Sequence, residues 1–337
     1  MTIVTQHVSS HLVRKLAAKV GFQLAGVARA DQPADFGRFH DWAERGLAGE
    51  MHYLTDHRGD VRSDPQNLLA GVRSVVCVGM HYGDDLRTAG IARYANGEDY
   101  HPVIRRRLEE LAARLLEFAD FEWRACVDTA PILERSFARR ASLGWIGKNT
   151  CLINQEQGSY FLLGELLTTL EIEPDTPPPD RCGTCTRCID GCPTAAIVPS
   201  PQGGFELDAR RCISYFTIEL RGTIPEEHRG AIGHNVFGCD ICQDVCPWNR
   251  REPPPANDVS LEELAALTPE EFKVRYRQTA VSRTKYSGFL RNVAIAMGNS
   301  GNEQFCEPLE RMAESADELV VEHAKWALAR LRPARLR

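Results

Sequence analysis

The chain has 337 residues, of which 43% are hydrophobic and 26% are charged, which is typical of a soluble protein. Its 40 Lys and Arg against 46 Asp and Glu give a net charge of −6, which excludes a uniformly basic nucleic-acid binder but leaves room for a local basic surface. No stretch approaches the roughly 18 consecutive apolar residues of a membrane-spanning helix, and the N-terminus lacks the apolar core of a secretory signal, so we expect a cytoplasmic protein without membrane attachment.

Residues 1–172 are predicted to form a layered α/β domain. Their apolar spacing predicts helices over 9–20 and 102–119. Asp64 and Pro65 are typical of a helix N-cap and first turn, and a further helix is expected from Pro131 to Gly144. Apolar runs predict strands over 22–30, 73–80, 121–128, 150–154 and 160–172. This mixture of elements favours a sheet covered by helices.

Two proline-rich segments, 173–181 and 251–258, divide the rest of the chain. They predict a cysteine-containing domain over 173–255 and an all-helical domain over 256–337. In the latter, amphipathic helices are expected over 260–275, 292–301, 303–314 and 316–331. Short helices separated by short loops indicate helix pairs stacked as in HEAT-like repeats.

Seven of the twelve cysteines lie in two short segments, 182–192 and 239–246. The first reads Cys182-x2-Cys185-x2-Cys188-x3-Cys192-Pro193, the bacterial ferredoxin spacing for [4Fe–4S] clusters, in which the fourth cysteine ligates the other cluster. Paired CxxC motifs also build zinc sites, but this spacing with the following proline favours iron–sulfur clusters.

The crossover rule distributes the cysteines over two clusters. The first cluster takes Cys182, Cys185, Cys188 and Cys246. The second takes Cys192, Cys239 and Cys242, and its missing fourth ligand is assigned to Cys212, which lies between the two segments. The remaining four are expected to be small buried apolar residues: Cys77, Cys126, Cys151 and Cys306. Paired clusters carry electrons, and the long segments on either side of them favour an enzyme over a plain ferredoxin.

Four segments together resemble the epoxyqueuosine reductases, which are cobalamin-dependent enzymes with two [4Fe–4S] clusters. They are VDTAPILERSFARRASLGWIGKNTCLIN (127–154), CGTCTRCIDGCPTAAI (182–197), RCISYFTIEL (211–220) and GCDICQDVCPWN (238–249). The resemblance implies a multidomain α+β protein: a nitroreductase-like α/β N-terminal domain, a bacterial ferredoxin-like domain and an all-α HEAT-like C-terminal domain. It also implies that cobalamin, recharged by the clusters, reduces epoxyqueuosine to queuosine at the wobble position of tRNA.

The resemblance implies a catalytic role for Asp128, as the acid that protonates the departing epoxide oxygen. A carboxyl group at a strand end beside a flat apolar macrocycle is expected to have a raised pKa. The alternative is a helix N-cap, because Asp128 precedes the predicted helix. Besides Asp128, the resemblance implies cobalamin contacts at Arg58, Tyr94, Lys148, Thr150 and Ser159, and packing or surface roles remain open for Arg58, Tyr94 and Ser159. His101 is ambiguous and is not assigned.

The implied partners are the anticodon arm of a tRNA and an external electron donor such as a flavodoxin or ferredoxin, and a monomer is expected. For the RNA phosphates the basic end of the chain, Arg330–Arg337, is the first candidate, and Arg210 with Arg211 is the second. Two other functions compete. A corrinoid reductive dehalogenase would usually carry a twin-arginine export signal, which this N-terminus lacks. A non-catalytic electron carrier would bind clusters but no corrinoid.

Overall fold

The computed structural model describes residues 8–82, 88–249 and 259–332. Its N-terminal part is built around a four-stranded sheet of order β1-β2-β6-β3, in which every neighbouring pair is antiparallel. The elements of this part are α1 (Ser10–Lys19), β1 (Leu24–Arg29), α2 (Phe36–Glu44), α3 (His57–Val61), β2 (Ser74–His81), α4 (Tyr100–Leu116), β3 (Trp123–Cys126), α5 (Glu134–Arg140), β4 (Trp145–Ile146), β5 (Leu152–Ile153) and β6 (Phe161–Thr168).

Both faces of the sheet are covered. Along β2, Val76 and Val78 pack on the side of α1 and α4, while Val75 and Cys77 pack on the side of α5. This alternation follows from the two-residue period of a strand, and all four residues are fully buried. A strand that is buried on both faces must be apolar throughout, which explains the continuous run that marks β2 in the sequence.

The cysteine-containing part consists of short elements and long connections. It contains α6 (Arg187–Asp190), the antiparallel pair β7 (Ile197–Pro199) and β8 (Phe205–Leu207), α7 (Glu226–Ile232) and α8 (Ile241–Asp244). A π-helical turn spans Tyr215–Glu219, directly after Cys212. An isolated parallel bridge between Ile91 and Phe237 joins this part to the N-terminal part.

The C-terminal part is helical throughout its described residues, with α9 (Leu261–Ala265), α10 (Pro269–Tyr276), α11 (Lys285–Asn299), α12 (Cys306–Ala313) and α13 (Glu318–Leu331). On the fully buried Arg291 of α11, the guanidinium donates hydrogen bonds to the carbonyl oxygens of Phe216, Leu220 and Gly222. Asn292 donates to the carbonyls of Thr217 and Val236. Helix α11 therefore binds the backbone of two segments, one that follows Cys212 and one that precedes Cys239.

The structure confirms the mixed α and β composition, the strands that form the main sheet and the helices predicted over 9–20, 102–119, 292–301, 303–314 and 316–331. Three details differ. The helix expected at Pro131 begins at Glu134, because Leu133 has a non-helical ψ of 76°. The strand expected over 150–154 has only two residues. The helix expected over 260–275 is two helices, since Thr268 forms a capping box with Glu271 that starts α10 afresh.

The predicted domain boundary at residue 255 lies outside the described residues. Burial is confirmed for Cys77, Cys126 and Cys306, which are 0–4% exposed. The prediction for Cys151 is wrong, because it is only partly buried and contacts another cysteine. No described helix is both long enough and apolar enough to cross a membrane.

Candidate functional site

The first group of cysteines lines a single cavity. Cys182 and Cys185 come from the loop that leads into α6, Cys188 lies within α6, and Cys246 follows α8. Burial, with the neighbouring thiols of Cys246 and Cys182, raises the pKa of Cys188 to about 11. The Trp248 ring also lines the cavity, and it meets the Trp145 ring edge-on at 5.0 Å between centroids.

The second group consists of Cys192, Cys212, Cys239 and Cys242. Burial raises the pKa of Cys239 to about 12, and the nearby thiols of Cys212 and Cys192 add to the rise. The thiol of Cys242 also lies close to the thiols of Cys239 and Cys212. The structure thus brings Cys212, the candidate for the missing fourth position, to the other three.

Both groups have the donor set of an iron–sulfur cluster. Backbone N–H groups bond to cysteine sulfurs: those of Ser214 and Tyr215 to Cys212, and that of Ala196 to Cys192, at 3.3 Å. Such donors stabilise thiolate ligands. Among the described residues, no group of three or more His, Cys, Asp or Glu is arranged to hold a single metal ion. Eight thiols in two fours fit two cubanes, which take one thiolate at each of four iron corners.

Asp128 lies where β3 ends, and it has an unusual backbone conformation. Its φ is +42°, in the left-handed region that non-glycine residues rarely adopt. The backbone N–H of Asp128 donates to Oε1 of Glu134 at 2.7 Å. Its Oδ2 lies 3.0 Å from Nε2 of His101 and accepts a hydrogen bond from Arg283 at 3.3 Å.

The charges around Asp128 favour its ionised form. Burial opposes ionisation most strongly, but the hydrogen bond from His101 and the positive charge of Arg283 together leave the pKa of Asp128 below its usual value. Burial also opposes the charged form of His101, yet its bonds to Asp128 and Asp99 leave the pKa of His101 above its usual value. The expectation of a raised Asp128 pKa is therefore wrong, because it overlooked these two cationic partners.

The N-cap alternative for Asp128 is also wrong. Helix α5 starts at Glu134 with Leu133 as its N-cap residue, and no side chain caps it. Asp128 lies in the turn before that helix, where its backbone is bonded to Glu134 and its side chain is free to face His101 and Arg283. The carboxylate is 38% exposed, so a substrate can reach it.

Two further carboxyl groups lie behind Asp128. Burial, reinforced by the negative charge of Asp128, raises the pKa of Glu134 to about 7. Glu165 on β6 is fully buried directly opposite Cys77 and Cys126, and both its carboxyl oxygens lack a hydrogen-bond partner among the described residues. Burial, together with the charge of Glu134, raises the pKa of Glu165 well above its usual value. Burial and the neighbouring charge thus both favour the protonated form of this inner acid.

Tyrosines surround the Asp128 carboxylate and connect it to the second cysteine group. The hydroxyl of Tyr100 accepts a hydrogen bond from Arg283 at 3.4 Å. The Tyr94 ring lies 6.0 Å from that of Tyr100 and 6.2 Å from that of Phe237, which is two residues before Cys239. Burial raises the pKa of Tyr94 and Tyr100, so both phenols stay protonated.

The other predicted cofactor contacts fall into two sets. Tyr94 packs against Tyr100 beside Asp128, whereas the Arg58 guanidinium is paired with Asp56 and lies 5.9 Å from the centre of the Tyr53 ring. Burial raises the pKa of this Tyr53 to about 12. The structure does not bring Lys148, Thr150 or Ser159 to Asp128.

Lys148, Thr150 and Ser159 are instead engaged around the cysteine region. Lys148 donates to the carbonyl oxygens of Gly183 at 2.8 Å and Cys185 at 3.0 Å, on the first cysteine loop. The carbonyl of Thr150 accepts from Arg135, and Thr150 has a φ of +62°. Ser159 is 4% exposed and bonded to Asn249 and Gln243.

Sequence reasoning missed three residues of the Asp128 site. His101 was noticed but not assigned, although the Asp99 N-cap of α4 fixes its ring through Nδ1 at 2.7 Å. Glu134 offered no signal beyond its place at a helix start. Arg283 offered none at all, because it lies 155 residues from Asp128 in the chain.

Comparisons with known proteins give a consistent result. Residues 181–249 match the family described as 4Fe-4S double cluster binding domain, and residues 62–129 match Epoxyqueuosine reductase QueG, DUF1730. The chain is 44% identical to an epoxyqueuosine reductase of Xanthomonas campestris, over 94% of each chain. It is 42% identical to that of Pseudomonas aeruginosa, over 94% of this chain and 93% of the relative.

Solved structures of the same enzyme are also similar. A crystal structure of epoxyqueuosine reductase with an epoxyqueuosine-modified tRNA-Tyr stem loop has a TM-score of 0.85 and 29% identity, covering 95% of this chain and 89% of that one. The enzyme from Bacillus subtilis, with its catalytic aspartate loop swung out of the active site, has a TM-score of 0.83 and 27% identity, covering 95% of this chain and 90% of that one.

The pairing of Asp128 with His101 predicts a pH-dependent effect of Asp128→Asn on stability. Asp128 raises the pKa of His101, so the resulting stabilisation is complete below the unfolded histidine pKa of about 6.5 and is lost as pH rises through the higher folded value. The lowered pKa of Asp128 gives a stabilisation that is constant above pH ~4 and is lost only as the pH falls below that value. The difference in free energy of unfolding between wild type and variant should therefore shrink between pH 6 and 9.

Anaerobic chemical denaturation across this pH range measures that difference. The matched control is Asp31→Asn, whose carboxylate pairs with the arginines Arg29 and Arg140 and no histidine. Its effect should be independent of pH in this window. A pH-independent effect of Asp128→Asn would show that His101 and Asp128 are not electrostatically linked.

Proposed function

This chain belongs to the epoxyqueuosine reductase family, and on that premise we propose that it reduces epoxyqueuosine to queuosine at the wobble position of tRNA. The observation that carries the proposal is the Asp128–His101 pair, which a series of packed aromatic rings connects to the segment that carries one of the two four-thiol groups. Removal of an epoxide oxygen as water consumes two electrons and two protons. The thiol groups fit the electron supply, and the Asp128 site fits the proton supply.

We infer that the two clusters have the ligands that the spacing predicts. Cys182, Cys185, Cys188 and Cys246 hold the first, and Cys192, Cys212, Cys239 and Cys242 hold the second. The proximity of the thiols in each group supports this assignment. The second cluster is then connected to the Asp128 site through the packed rings of Phe237 and Tyr94. An external flavodoxin or ferredoxin would deliver electrons to the first cluster, whose loop residues Gly183 and Thr184 are exposed.

Cobalamin is proposed as the cofactor beside Asp128. When bound, it supplies a strongly reducing cobalt centre that can take electrons from the clusters one at a time. The protonated phenols of Tyr53, Tyr94 and Tyr100 offer neutral aromatic edges that fit a flat macrocycle. Arg58 and Tyr94 would hold the cofactor on this side, with Asp128 facing it. Contacts by Lys148, Thr150 and Ser159 remain predictions that the geometry around Asp128 does not support.

The chain's own residues move the proton. His101 holds a proton on Nε2, between the carboxylates of Asp99 and Asp128. As negative charge develops on the departing epoxide oxygen, Asp128, which is ionised at rest, takes the proton from Nε2 of His101 and passes it to that oxygen. Arg283 stabilises the carboxylate that remains, and Glu134 holds the strained backbone of Asp128 in place. In this account the proton donor is the pair, with His101 as the store and Asp128 as the group that touches the substrate.

The three predicted domains receive corresponding roles. We propose that residues 1–172 form the nitroreductase-like cofactor domain, 173–255 the ferredoxin-like domain and 256–337 the HEAT-like domain that binds tRNA. The similarity of fold to the tRNA-bound epoxyqueuosine reductase supports an RNA substrate.

The RNA surface is better placed on α10 than at the end of the chain. Arg330 stacks on Trp326 at 5.7 Å and Arg332 is paired with Glu310, while Arg335 and Arg337 lie outside the described residues. Of the second candidate pair, Arg210 is paired with Asp208 and Arg211 is only partly exposed.

Three cations near the C-terminal end of α10, Lys273, Arg275 and Arg277, are exposed. Val274 between them is 81% exposed, so it offers an apolar contact beside the three charges. The carbonyl of Gln278 accepts the backbone N–H of Asp99 at 2.7 Å, so this end of α10 adjoins the acid site. Cations there can bind the phosphates of a loop whose splayed base reaches Asp128.

The activity test uses cobalamin, a reductant and an epoxyqueuosine-containing tRNA stem loop under anaerobic conditions, followed by nucleoside mass analysis. The wild type should remove one oxygen from the modified nucleoside. Asp128→Asn should lower kcat by about 10²–10⁴-fold, because the acid is lost. His101→Gln should also lower kcat, with residual activity rising as pH falls, because Asp128 must then take its proton from water.

The matched control is His40→Gln, an exposed histidine on α2 that pairs with Glu44 and should leave kcat unchanged. No loss of oxygen from the nucleoside with the wild type would contradict the proposed function. Wild-type kcat in His101→Gln at neutral pH would instead leave the function intact and refute the proton store.

The ligand assignment predicts the iron content of Cys212→Ala. The anaerobically purified variant should hold about four irons in place of about eight, because the second cluster loses a corner while the first keeps all four thiolates. Iron analysis with electron paramagnetic resonance of the reduced protein measures this, and Cys306→Ala, remote from both groups in α12, should retain about eight. A full complement in Cys212→Ala would mean that another residue is the ligand.

The α10 surface predicts a change in salt dependence. Replacing Lys273, Arg275 and Arg277 together by Ala should weaken stem-loop binding, and the slope of log affinity against log salt should fall by about 0.7–0.9 for each phosphate contact removed. Fluorescence anisotropy at several salt concentrations measures both. Arg311→Ala on α12, equally exposed, should change neither, and an unchanged slope in the triple variant would place the RNA elsewhere.

A further inference from the structure

The segment that joins α10 to α11 contains a strained residue. Lys285 has a φ of 62° and a ψ of 165°, a combination that is open to glycine but to almost no other residue. Its backbone N–H donates to the carbonyl of Ser282, which closes a tight turn. A non-glycine residue persists in this conformation only where the surrounding structure fixes it, and such residues are concentrated at functional sites.

The contacts around this turn explain the strained conformation. Between Ser282 and Lys285, the guanidinium of Arg283 donates to Oδ2 of Asp128 at 3.3 Å. The carbonyl of Arg283 accepts a hydrogen bond from Arg221 at 2.8 Å. The turn is thus held through both a side chain and the backbone, in the position that brings Arg283 to Asp128.

The side chain of Lys285 takes no part in holding the turn. Lys285 is exposed, and its ammonium makes no hydrogen bond or ion pair with any residue in 8–82, 88–249 or 259–332. Glycine would form the same turn with less strain, so the fold alone does not account for a lysine at this position. Its cation is available to an external anion.

The position of Lys285 indicates which anion this is. Two residues of chain span at most about 7 Å, so the backbone of Lys285 lies close to that of Arg283, which contacts Asp128. A nucleotide whose base reaches Asp128 carries a phosphate on either side of its sugar. Phosphate oxygens of this kind are common acceptors for lysine in complexes with nucleic acids.

The same segment also connects Lys285 to the α10 surface. At its other end, the carbonyl of Gln278 accepts the backbone N–H of Asp99 at 2.7 Å. Asp99 in turn contacts His101, the partner of Asp128. Residues 278–285 therefore follow the acid site from the cations of α10 to Lys285, so an RNA strand bound on α10 would continue towards this lysine.

We propose that Lys285 binds a phosphate that flanks the wobble nucleotide of the tRNA and thereby holds the modified base at Asp128. The inference rests on the proposed function for the identity of the RNA. It assigns to Lys285 a contact beside the reacting nucleotide, separate from the contacts of the α10 surface. The ammonium is a point charge on a flexible stem, so it can adjust to the phosphate while the strained backbone stays fixed.

Fluorescence anisotropy of the anaerobically purified protein with an epoxyqueuosine-containing tRNA stem loop measures this contact. Lys285→Ala should weaken binding on the order of fivefold, the effect of losing one close pair of charges in water. The slope of log affinity against log salt should fall by about 0.7, as expected for one phosphate of a single strand. Lys285→Arg, which keeps the charge, should retain the wild-type affinity and slope.

Thermal unfolding separates this role from a purely structural one. Glycine relieves the backbone strain that alanine keeps, so Lys285→Gly should have a higher thermal midpoint than Lys285→Ala, yet both should bind the stem loop equally weakly. Ser142 provides the matched control, since it is exposed just after α5 and has a φ of 66°. Ser142→Gly should also be more stable than Ser142→Ala, but both should bind like the wild type.

A stem loop with neutral methylphosphonates on both sides of the wobble nucleotide locates the contact. This replacement should cost the wild type on the order of fivefold more affinity than it costs Lys285→Ala, because the variant has already lost the charge that pairs with the phosphate. An equal loss in the two proteins would overturn the proposal.

Wild-type affinity and salt slope in Lys285→Ala would also overturn it. These binding results do not depend on removal of the epoxide oxygen. A wild type that binds the stem loop but leaves the oxygen in place would contradict the proposed function and not this contact, so the two failures are distinguishable.

Discussion

The carboxylate of Asp128 is the point on which the three parts of the molecule converge. Its backbone belongs to the sheet domain and is held by Glu134 at the start of α5. Its charge is balanced by His101 from the start of α4 and by Arg283 from the turn before α11. Arg283 also lies 3.8 Å from Glu219 of the cysteine region. A residue of the helical part thus completes an acid site that the N-terminal domain could not build alone.

The helical region also stabilises the cysteine segments, in addition to its contact with Asp128. Arg291 and Asn292 of α11 bind the backbone carbonyls around the π-helical turn and before Gly238. Those bonds hold the segments that carry Cys212 and Cys239, and Arg291 is fully buried, so their loss would leave carbonyls unpaired in the interior. The helical region therefore supports both the Asp128 site, to which we assign the proton supply, and the cysteine segments, to which we assign the electron supply. A change in the position of α11 would alter the geometry of both.

Much of this arrangement could be predicted from the sequence, because it depends on local spacing. The cysteine run, the buried strand β2 and the amphipathic helices each have a residue spacing that can be recognised within a short stretch of sequence. No knowledge of residues distant in the chain is needed to recognise them. The crossover rule left one ligand of the second group open, and Cys212 was the candidate because it lies between the two cysteine segments. What could not be predicted depends on partners distant in the chain. The charge of Asp128 is set by His101 and Arg283, and the contact of Lys148 by the loop at Gly183. In each case the residue type was visible, but its hydrogen-bond partner was not.

The central claim is that Asp128 is ionised in the resting protein while His101 carries the proton that will be used. Infrared difference spectroscopy between the wild type and Asp128→Asn, each carrying ¹³C-labelled aspartate, measures the protonation state of this one carboxyl group at neutral pH. The account predicts the antisymmetric and symmetric stretches of an ionised carboxylate in the wild-type spectrum. A protonated carbonyl band assigned to Asp128 in the resting protein at neutral pH would contradict it.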